Sequence, residues 1–457
     1  MPTPSTIGLG GRTPLVANLY RIEGPSKLQG TVKVAGAKNA ATKEIVAALL
    51  AEGISSFENV PRIGDVETTV DILSSVGART RWEHEETLLV DASHLTSSEV
   101  PIAFSGLNRI PILLMGPLLH RLGEARIPVL GGCNLGPRPV DFHIQGLREL
   151  GADIRFEKGY YIARSDGLKG TIITLPYPSV GATENIMIAA TMARGTSVIH
   201  NAATEPEVVD LARFLQSMGA IIHLDVNRSW VIEGVSALKP SWHRVIGDRI
   251  EAASFAVAAA VTGGEITVTG CAHANLISFL NAFRRVGGRF DVLPEGIRFY
   301  ADRDHLKPIA LETDVHPGFM TDWQQPFVIL LTQASGVSVV HETVYENRFG
   351  YTDALREMGA TIQLFSQCLG GRSCRFRHRD HRHSAVIVGP STLRGLKLVI
   401  PDLRAGFSYL IAATSATGPS VLRNVRYLER GYQDIAKRFQ QLGAALEVQE
   451  DPNPPEE

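Results

Sequence analysis

Cysteine is scarce in this chain: four in 457 residues cannot frame a disulfide-stapled fold, and the usage fits a reducing compartment. A dominant charge sign is also lacking. Lysine and arginine number 45 against 47 aspartates and glutamates, a formal charge of -2, so the basic excess wanted by nucleic acid or a membrane surface is missing. No uninterrupted apolar run approaches the ~18 to 20 residues that span a bilayer. Residues 1–18 have no charged start followed by an apolar stretch. We expect a cytoplasmic chain with no nucleic-acid or membrane partner, a monomer or weak homo-oligomer, in which locally placed cations meet any anionic ligand. At 457 residues it is too long for one compact core, so two lobes are expected. The polar, Gly/Pro-containing start, residues 1–19, reads as a flexible tail.

What the chain does have is a repeat. A helix-like stretch ending in glycine and followed by a β-type run recurs six times, at Gly77, Gly151, Gly219, Gly287, Gly359 and Gly443. The intervals are 74, 68, 68, 72 and 84 residues, long for a solenoid and right for a small α/β unit. Each glycine is expected to cap its helix so that a strand can begin. Each unit also holds an earlier helix of small apolar residues, such as Phe255-Ala256-Val257-Ala258-Ala259-Ala260-Val261. A helix with no polar face is buried all round. Six such units predict an α/β fold with helices inside and strands outside. The last interval is longest because residues 367–384 read as an insertion.

Polar side chains recur where the buried helices open: Lys38-Asn39, Arg109, Ser179 to Asn185, Arg249, Asp322 and Arg404. A helix N-terminus carries unpaired N–H groups and partial positive charge, so a Lys or Arg is misplaced there unless an anion joins it. Four of the six openings carry a cation. Phosphate bound where helix ends and basic side chains converge accounts for the set; the bland alternative is solvated first-turn cations.

A second constellation is Gly131-Gly132-Cys133-Asn134-Leu135-Gly136-Pro137-Arg138-Pro139-Val140-Asp141-Phe142-His143. Glycine and proline forbid a helix and present the thiol on a shaped loop, where positive charge on Arg138, and on His143 if it lies close, would favour thiolate; the bland alternative is an inert cysteine. The insertion holds Cys368, Cys374, His378, His381 and His383 among arginines. Its Cys-x5-Cys and His-x2-His-x-His spacings match no standard zinc pattern and the arginines would repel a cation, so it reads as a solvated basic loop with no metal. Cys271 reads as packing.

Several motifs stand in order along residues 20–448: Ala35-Gly36-Ala37-Lys38-Asn39, Gly131-Gly132-Cys133, Gly136-x-Arg138-Pro139-Val140-Asp141, Ser179-Val180-Gly181-Ala182-Thr183, Thr321-Asp322, Glu346-Asn347-Arg348-Phe349, Asp402-Leu403-Arg404-Ala405 and Arg430-Gly431-Tyr432. Together they resemble the UDP-N-acetylglucosamine 1-carboxyvinyltransferase family of enolpyruvyl transferases. The resemblance implies two lobes of inside-out α/β barrel type, three units each, crossed twice by the chain. Lobe 1 would take residues 20–38 and 245–457, including the 367–384 insertion, and lobe 2 residues 39–244, with ligands in a cleft that closes between them.

The same resemblance implies the chemistry. Phosphoenolpyruvate and UDP-N-acetylglucosamine would be the partners, with no metal or organic cofactor. The enolpyruvyl group would pass to the sugar 3'-hydroxyl by addition and elimination, the first committed step of peptidoglycan precursor synthesis. Lys38, Asn39, Arg138 and Arg430 would hold phosphoenolpyruvate, and Arg404 would assist closure. Arg109, Arg138, Pro139, Val140, Asp141, Phe142, Ser179, Val180, Gly181, Asp322 and Val344 would line the UDP-sugar site. Asp322 would accept the hydroxyl proton. Cys133 would protonate the methylene carbon, can hold phosphoenolpyruvate as a thioketal, and is the family's target of fosfomycin. The chain departs from the common pattern at Ile110-Pro111, at Leu428-Glu429 and in the insertion, which bears on the identity of the acceptor. Two alternatives are a sibling transferase using another nucleotide or sugar nucleotide, and a non-catalytic UDP-sugar-binding paralogue. Replacing Cys133 by Ser is expected to collapse turnover while sparing nucleotide binding, as read by steady-state kinetics beside calorimetry; unchanged turnover would remove this acid from the scheme.

Overall fold

A computed structural model describes residues 18–130, 140–371 and 374–452. Two hydrophobic cores organise them. One gathers side chains from Tyr20 to Val34 and from Ile250 to Leu446, the other from Ala37 to Val245. In the first core the helices Arg249–Thr262, Thr321–Thr332 and Leu403–Ser415 pack on one another, and every residue of Arg249–Thr262 is buried. Its run of alanines has no polar stripe to offer water and lets neighbouring backbones approach. In the second core the helices Lys38–Ala47, Met115–Leu122 and Val180–Ala190 do the same work with the turn Ile110–Leu114. Pro111 stands in the first positions of that turn, so this unit enters its helix through a tight 3₁₀ segment.

Sheets flank these helices. Five have four strands and the sixth three among the described residues. The order repeats, as in Ala310–Glu312, Gly336–His341, Ser384–Gly389 and Thr361–Phe365, where the first pair is parallel and the others antiparallel. Helices inside and strands outside is therefore the arrangement observed, built from six separate sheets. The glycines behave as the repeat predicts: all six have φ between 96° and 108°. At Gly77, Gly151, Gly219, Gly359 and Gly443 the following N–H donates to the carbonyl five residues back, which satisfies a helix C-terminus. The first strand, Asn18–Gly24, begins two residues inside the expected tail and lies between Gly418–Arg423 and Ala445–Glu450 in the last unit's sheet.

Strand exchange ties the cores together. Gln29–Lys33 pairs with Glu265–Thr269 yet leads into the helix of the other core, and Trp242–Arg244 pairs with Ile54–Glu58 before leading back. The two passages hold each other: Ala37 N–H donates to Ile246 O at 2.7 Å and Asp248 N–H to Ala35 O at 2.9 Å, around a Gly36–Gly247 bridge. A Cβ on Gly36 would stand 1.7 Å from Asn59 O, and one on Gly247 1.9 Å from Gly270 O. Both contacts are backbone, so neither can yield cheaply. Beneath this crossing, Asp210 accepts from Ile246 N–H at 3.0 Å and lies 3.2 Å from His243 Nε2, with Glu44 3.5 Å from the same nitrogen. Burial pushes the Glu44 carboxyl up to about 8, while the two carboxylates, against the opposing effect of desolvation, raise His243 to about 9.

The insertion differs from the solvated loop its arginines suggest: Cys374, Phe376 and His383 are buried. Apolar and ligand-type side chains alternate there with exposed arginines.

Two outcomes follow. Gly36→Ala or Gly247→Ala should cost upwards of ~2 kcal/mol in urea unfolding, whereas Gly350→Ala, with open space around it, should be nearly neutral. Both raised values mean that the folded chain keeps protons the unfolded chain releases, so this cluster's stabilisation is complete below pH 4.5 and is lost as pH climbs through about 8 to 9. Glu44→Gln should gain on the parent by roughly 1 kcal/mol per pH unit between pH 5 and 8; parallel stability curves would refute this.

Candidate active site

Three of the six helix openings, those of Lys38, Asp322 and Arg404, contribute to two linked groups of charged side chains, the first of which bridges the two cores. Lys38 starts its helix with no side-chain cap, and its Nζ donates to Asp65 Oδ2 at 2.7 Å. Asp65 Oδ1 accepts from Arg430 Nε at 2.5 Å, and Arg430 Nη2 reaches Leu107 O at 2.7 Å. Asp65 lies in the helix Gly64–Ser75 of the second core and Arg430 beside Leu428 and Tyr432 of the first, so this carboxylate bridges the halves. Burial alone would raise its proton affinity, yet Lys38 and Arg430 together hold the Asp65 carboxyl below its ordinary value. Asp65 carries no repeat signature, and the sequence reading misses it. Asn39 is half-buried in the same opening turn.

Arg404 belongs to the second group. Its Nη1 donates to Tyr432 OH at 2.6 Å, and its Nε lies 3.4 Å from Asp322 Oδ2. Arg348, fully buried, donates to Asp322 Oδ1. Both oxygens of Asp322 are thus fixed in the first turn of Thr321–Thr332, where the helix dipole favours negative charge. Asp402 caps the Arg404 helix through Arg404 N–H and Ala405 N–H. Arg348 stands inside a motif noticed in the sequence, but only the fold supplies its role.

The remaining expected residues sort themselves by position. Ser179 caps Val180–Ala190, accepting from Ala182 N–H at 3.4 Å, with Val180 and Gly181 half-buried beside it. Val140 is buried, Asp141 begins the helix Asp141–Glu149, and Phe142 packs on the second core. Val344 receives a hydrogen bond from Arg375 of the insertion at 2.5 Å. Arg109 precedes the turn Ile110–Leu114 and is half-buried. Cys133, Arg138 and Pro139 lie outside the described residues. A cavity of about 330 Å³ opens elsewhere, against Arg285, Glu312 and Asp314.

Two readings need correction. Arg249 is no ligand cation: buried at the crossing, it makes two bonds to Glu207, at 2.9 and 3.0 Å. That partner is 42 positions away, so the opening turn alone cannot reveal it. His143 cannot supply positive charge to a thiol, because burial and the nearby Arg109 push its imidazole down to about 3, leaving it neutral beside Asn185 Nδ2 at 3.2 Å. Cys271 is packing as read, buried and with its thiol raised to about 12 by desolvation. Glu429, at a departure from the common pattern, accepts from Tyr20 OH at 2.8 Å, tying the first strand to the Arg430 segment.

Four cations, Lys38, Arg430, Arg404 and Arg348, share two carboxylates in these groups. Asp248 also faces Arg404, and Asp402 and Glu342 face Arg348, so it is the Lys38–Arg430 end, two cations on the one carboxylate of Asp65, that best suits a small polyanion.

Known proteins give the arrangement its relatives. Residues 22–439 match the family model of EPSP synthase (3-phosphoshikimate 1-carboxyvinyltransferase). A UDP-N-acetylglucosamine 1-carboxyvinyltransferase of Protochlamydia amoebophila is 52% identical over 95% of both chains. One from Chlamydia muridarum is 47% identical over 93% of this chain and 97% of its own. Among solved structures, the enolpyruvyl transferase NikO from Streptomyces tendae superposes with TM-score 0.85 at 24% identity, over 95% of this chain and all of that one. EPSP synthase from Acinetobacter baumannii does so with TM-score 0.71 at 18% identity, again over 95% of this chain and all of its own. The full-length family match and the identities agree: the chain belongs to the EPSP synthase family of enolpyruvyl transferases, on the branch of the UDP-N-acetylglucosamine 1-carboxyvinyltransferases.

Proposed function

We propose that the chain transfers the enolpyruvyl group of phosphoenolpyruvate to the 3'-hydroxyl of UDP-N-acetylglucosamine with release of phosphate, in the cytoplasm, as the first committed step towards peptidoglycan precursors. The observation that carries this reading is the pair of linked groups Lys38, Asp65, Arg430 and Tyr432, Arg404, Asp322, Arg348, the first of which bridges the two cores. The names of the relatives agree with it.

In this reading the lobes, residues 20–38 with 245–457 and residues 39–244, close on the ligands and exclude water. Lys38, Asn39, Arg138 and Arg430 hold the phosphate and carboxylate of phosphoenolpyruvate. The UDP-sugar lies along Arg109, Val140 to Phe142, Ser179 to Gly181 and Val344. Asp322 takes the hydroxyl proton while the sugar oxygen bonds to C2 and Cys133 delivers a proton to C3. The tetrahedral adduct then returns a C3 proton to the Cys133 thiolate and expels phosphate, which carries off the hydroxyl proton taken by Asp322, restoring the double bond and both side chains. Cationic character develops at C2 while negative charge gathers on the leaving phosphate, so opposite fields must stand a few ångströms apart. Asp322 supplies one, and Lys38 and the arginines supply the other.

The pairing of Asp322 with Arg348 and Arg404 also sets a test. Asp322→Asn preserves shape and can still accept from one of the two guanidiniums, but its amide nitrogen cannot accept from the other and it cannot take a proton. It should lower kcat by roughly 10²- to 10⁴-fold with little change in UDP-sugar binding. The assay is phosphate release, which must require both substrates; release with phosphoenolpyruvate alone, or none with this acceptor, would defeat the proposed reaction.

A further inference from the structure

Away from these groups, the structure gathers two thiols and two imidazoles at the base of the insertion. His341 ends the strand Gly336–His341, and His383 immediately precedes Ser384–Gly389, its antiparallel partner. Cys368 and Cys374 come from the segment between and are not disulfide-bonded. One ligand atom from each of the four lies within 4.8 Å of the other three. His341, Cys374 and His383 are buried.

The surroundings orient these groups as ligands. His383 Nδ1 lies 2.7 Å from His381 O, which places its proton on Nδ1 and leaves the Nε2 lone pair 3.4 Å from Cys368 Sγ. His341 is wholly buried and its Nε2 finds no hydrogen-bond partner, so a buried polar atom there awaits a ligand. Glu312 Oε2 stands 3.5 Å from its Nδ1, positioned to hold the proton on that side and free Nε2 for a metal. Phe376 N–H donates to Cys374 Sγ at 3.3 Å, the support a thiolate requires.

We infer that Cys368, Cys374, His341 and His383 form a structural site for one divalent zinc ion. Two thiolates and two neutral imidazoles match the tetrahedral preference of zinc, and hard cations such as magnesium or calcium would want oxygen instead. Binding releases one proton from each thiol, and the resulting unit is electrically neutral, so the neighbouring arginines do not oppose it. Cys374 directly precedes Arg375, whose Nη2 bonds to Val344 O at 2.5 Å and whose guanidinium lies 4.7 Å from the ring of Tyr177 in the other half. The ion pins the root of the segment that carries Arg375 to this wall. Its bearing on the acceptor rests on the proposed function; the ion's presence does not.

Metal content therefore decides it independently of turnover. Protein purified without chelators from zinc-supplemented cells should contain close to one zinc per chain by elemental analysis. Cobalt added to the chelator-stripped chain should give thiolate-to-cobalt charge transfer and the strong visible bands of a tetrahedral centre. Cys368→Ser and His341→Gln should each lose the zinc and weaken those bands, and trypsin should cut after Arg375, Arg377 and Arg379 only when the metal has been removed. Zinc at background, no charge-transfer band with the unaltered chain, or a Cys368–Cys374 disulfide in protein kept reduced would each overturn the site. The cobalt titration of the unaltered chain stands even where a ligand substitution unfolds it.

Discussion

The two cores are joined by two passages of backbone, at Gly36 and Gly247, that hydrogen-bond to each other where the chain changes sides. Each comes so close to a carbonyl that no side chain fits. Immediately beyond them begin the helices that carry Lys38 and Arg249. One is paired with Asp65 and the other is locked to Glu207, so similar openings two residues past the bridged glycines take partners from different places in the chain.

Farther from that crossing, the halves meet through charge. Asp65 holds Lys38 from its own core and Arg430 from the other, and a ligand with its own negative groups competes for the same two cations. Buried pairs of this kind contribute little net stability, since desolvation cancels most of the attraction. Their worth is in holding cations at fixed spacing, oriented before any anion arrives.

The sequence discloses what is local and repeated. A helix-ending glycine is a one-residue signal, and its six recurrences carry the α/β unit, the buried helices and the order of the sheets. Lys38, Asp322 and Arg404 were legible for the same reason, as residues that open equivalent helices. Partnerships between units were not. Asp65 and Arg348 belong to no recurring position, and Glu207 is remote from Arg249 in the chain. The insertion shows the limit most clearly: its own cysteines and histidines have no recognisable metal spacing, because one proposed ligand, His341, lies outside it in the earlier strand Gly336–His341. Strand exchange at Gln29–Lys33 and Trp242–Arg244 is equally invisible to a periodicity, since each strand looks like a member of the unit it precedes.

The placement of Asn18–Gly24 between two strands from the far end of the chain has a consequence for synthesis. The core drawn from Ala37 to Val245 is contiguous and can form while later residues are still on the ribosome. The opening strand must wait, unpaired, until Gly418–Arg423 and Ala445–Glu450 arrive to receive it. The last sheet to close thus contains a strand made long before its partners, and a nascent chain that stops short of them leaves that strand an exposed edge.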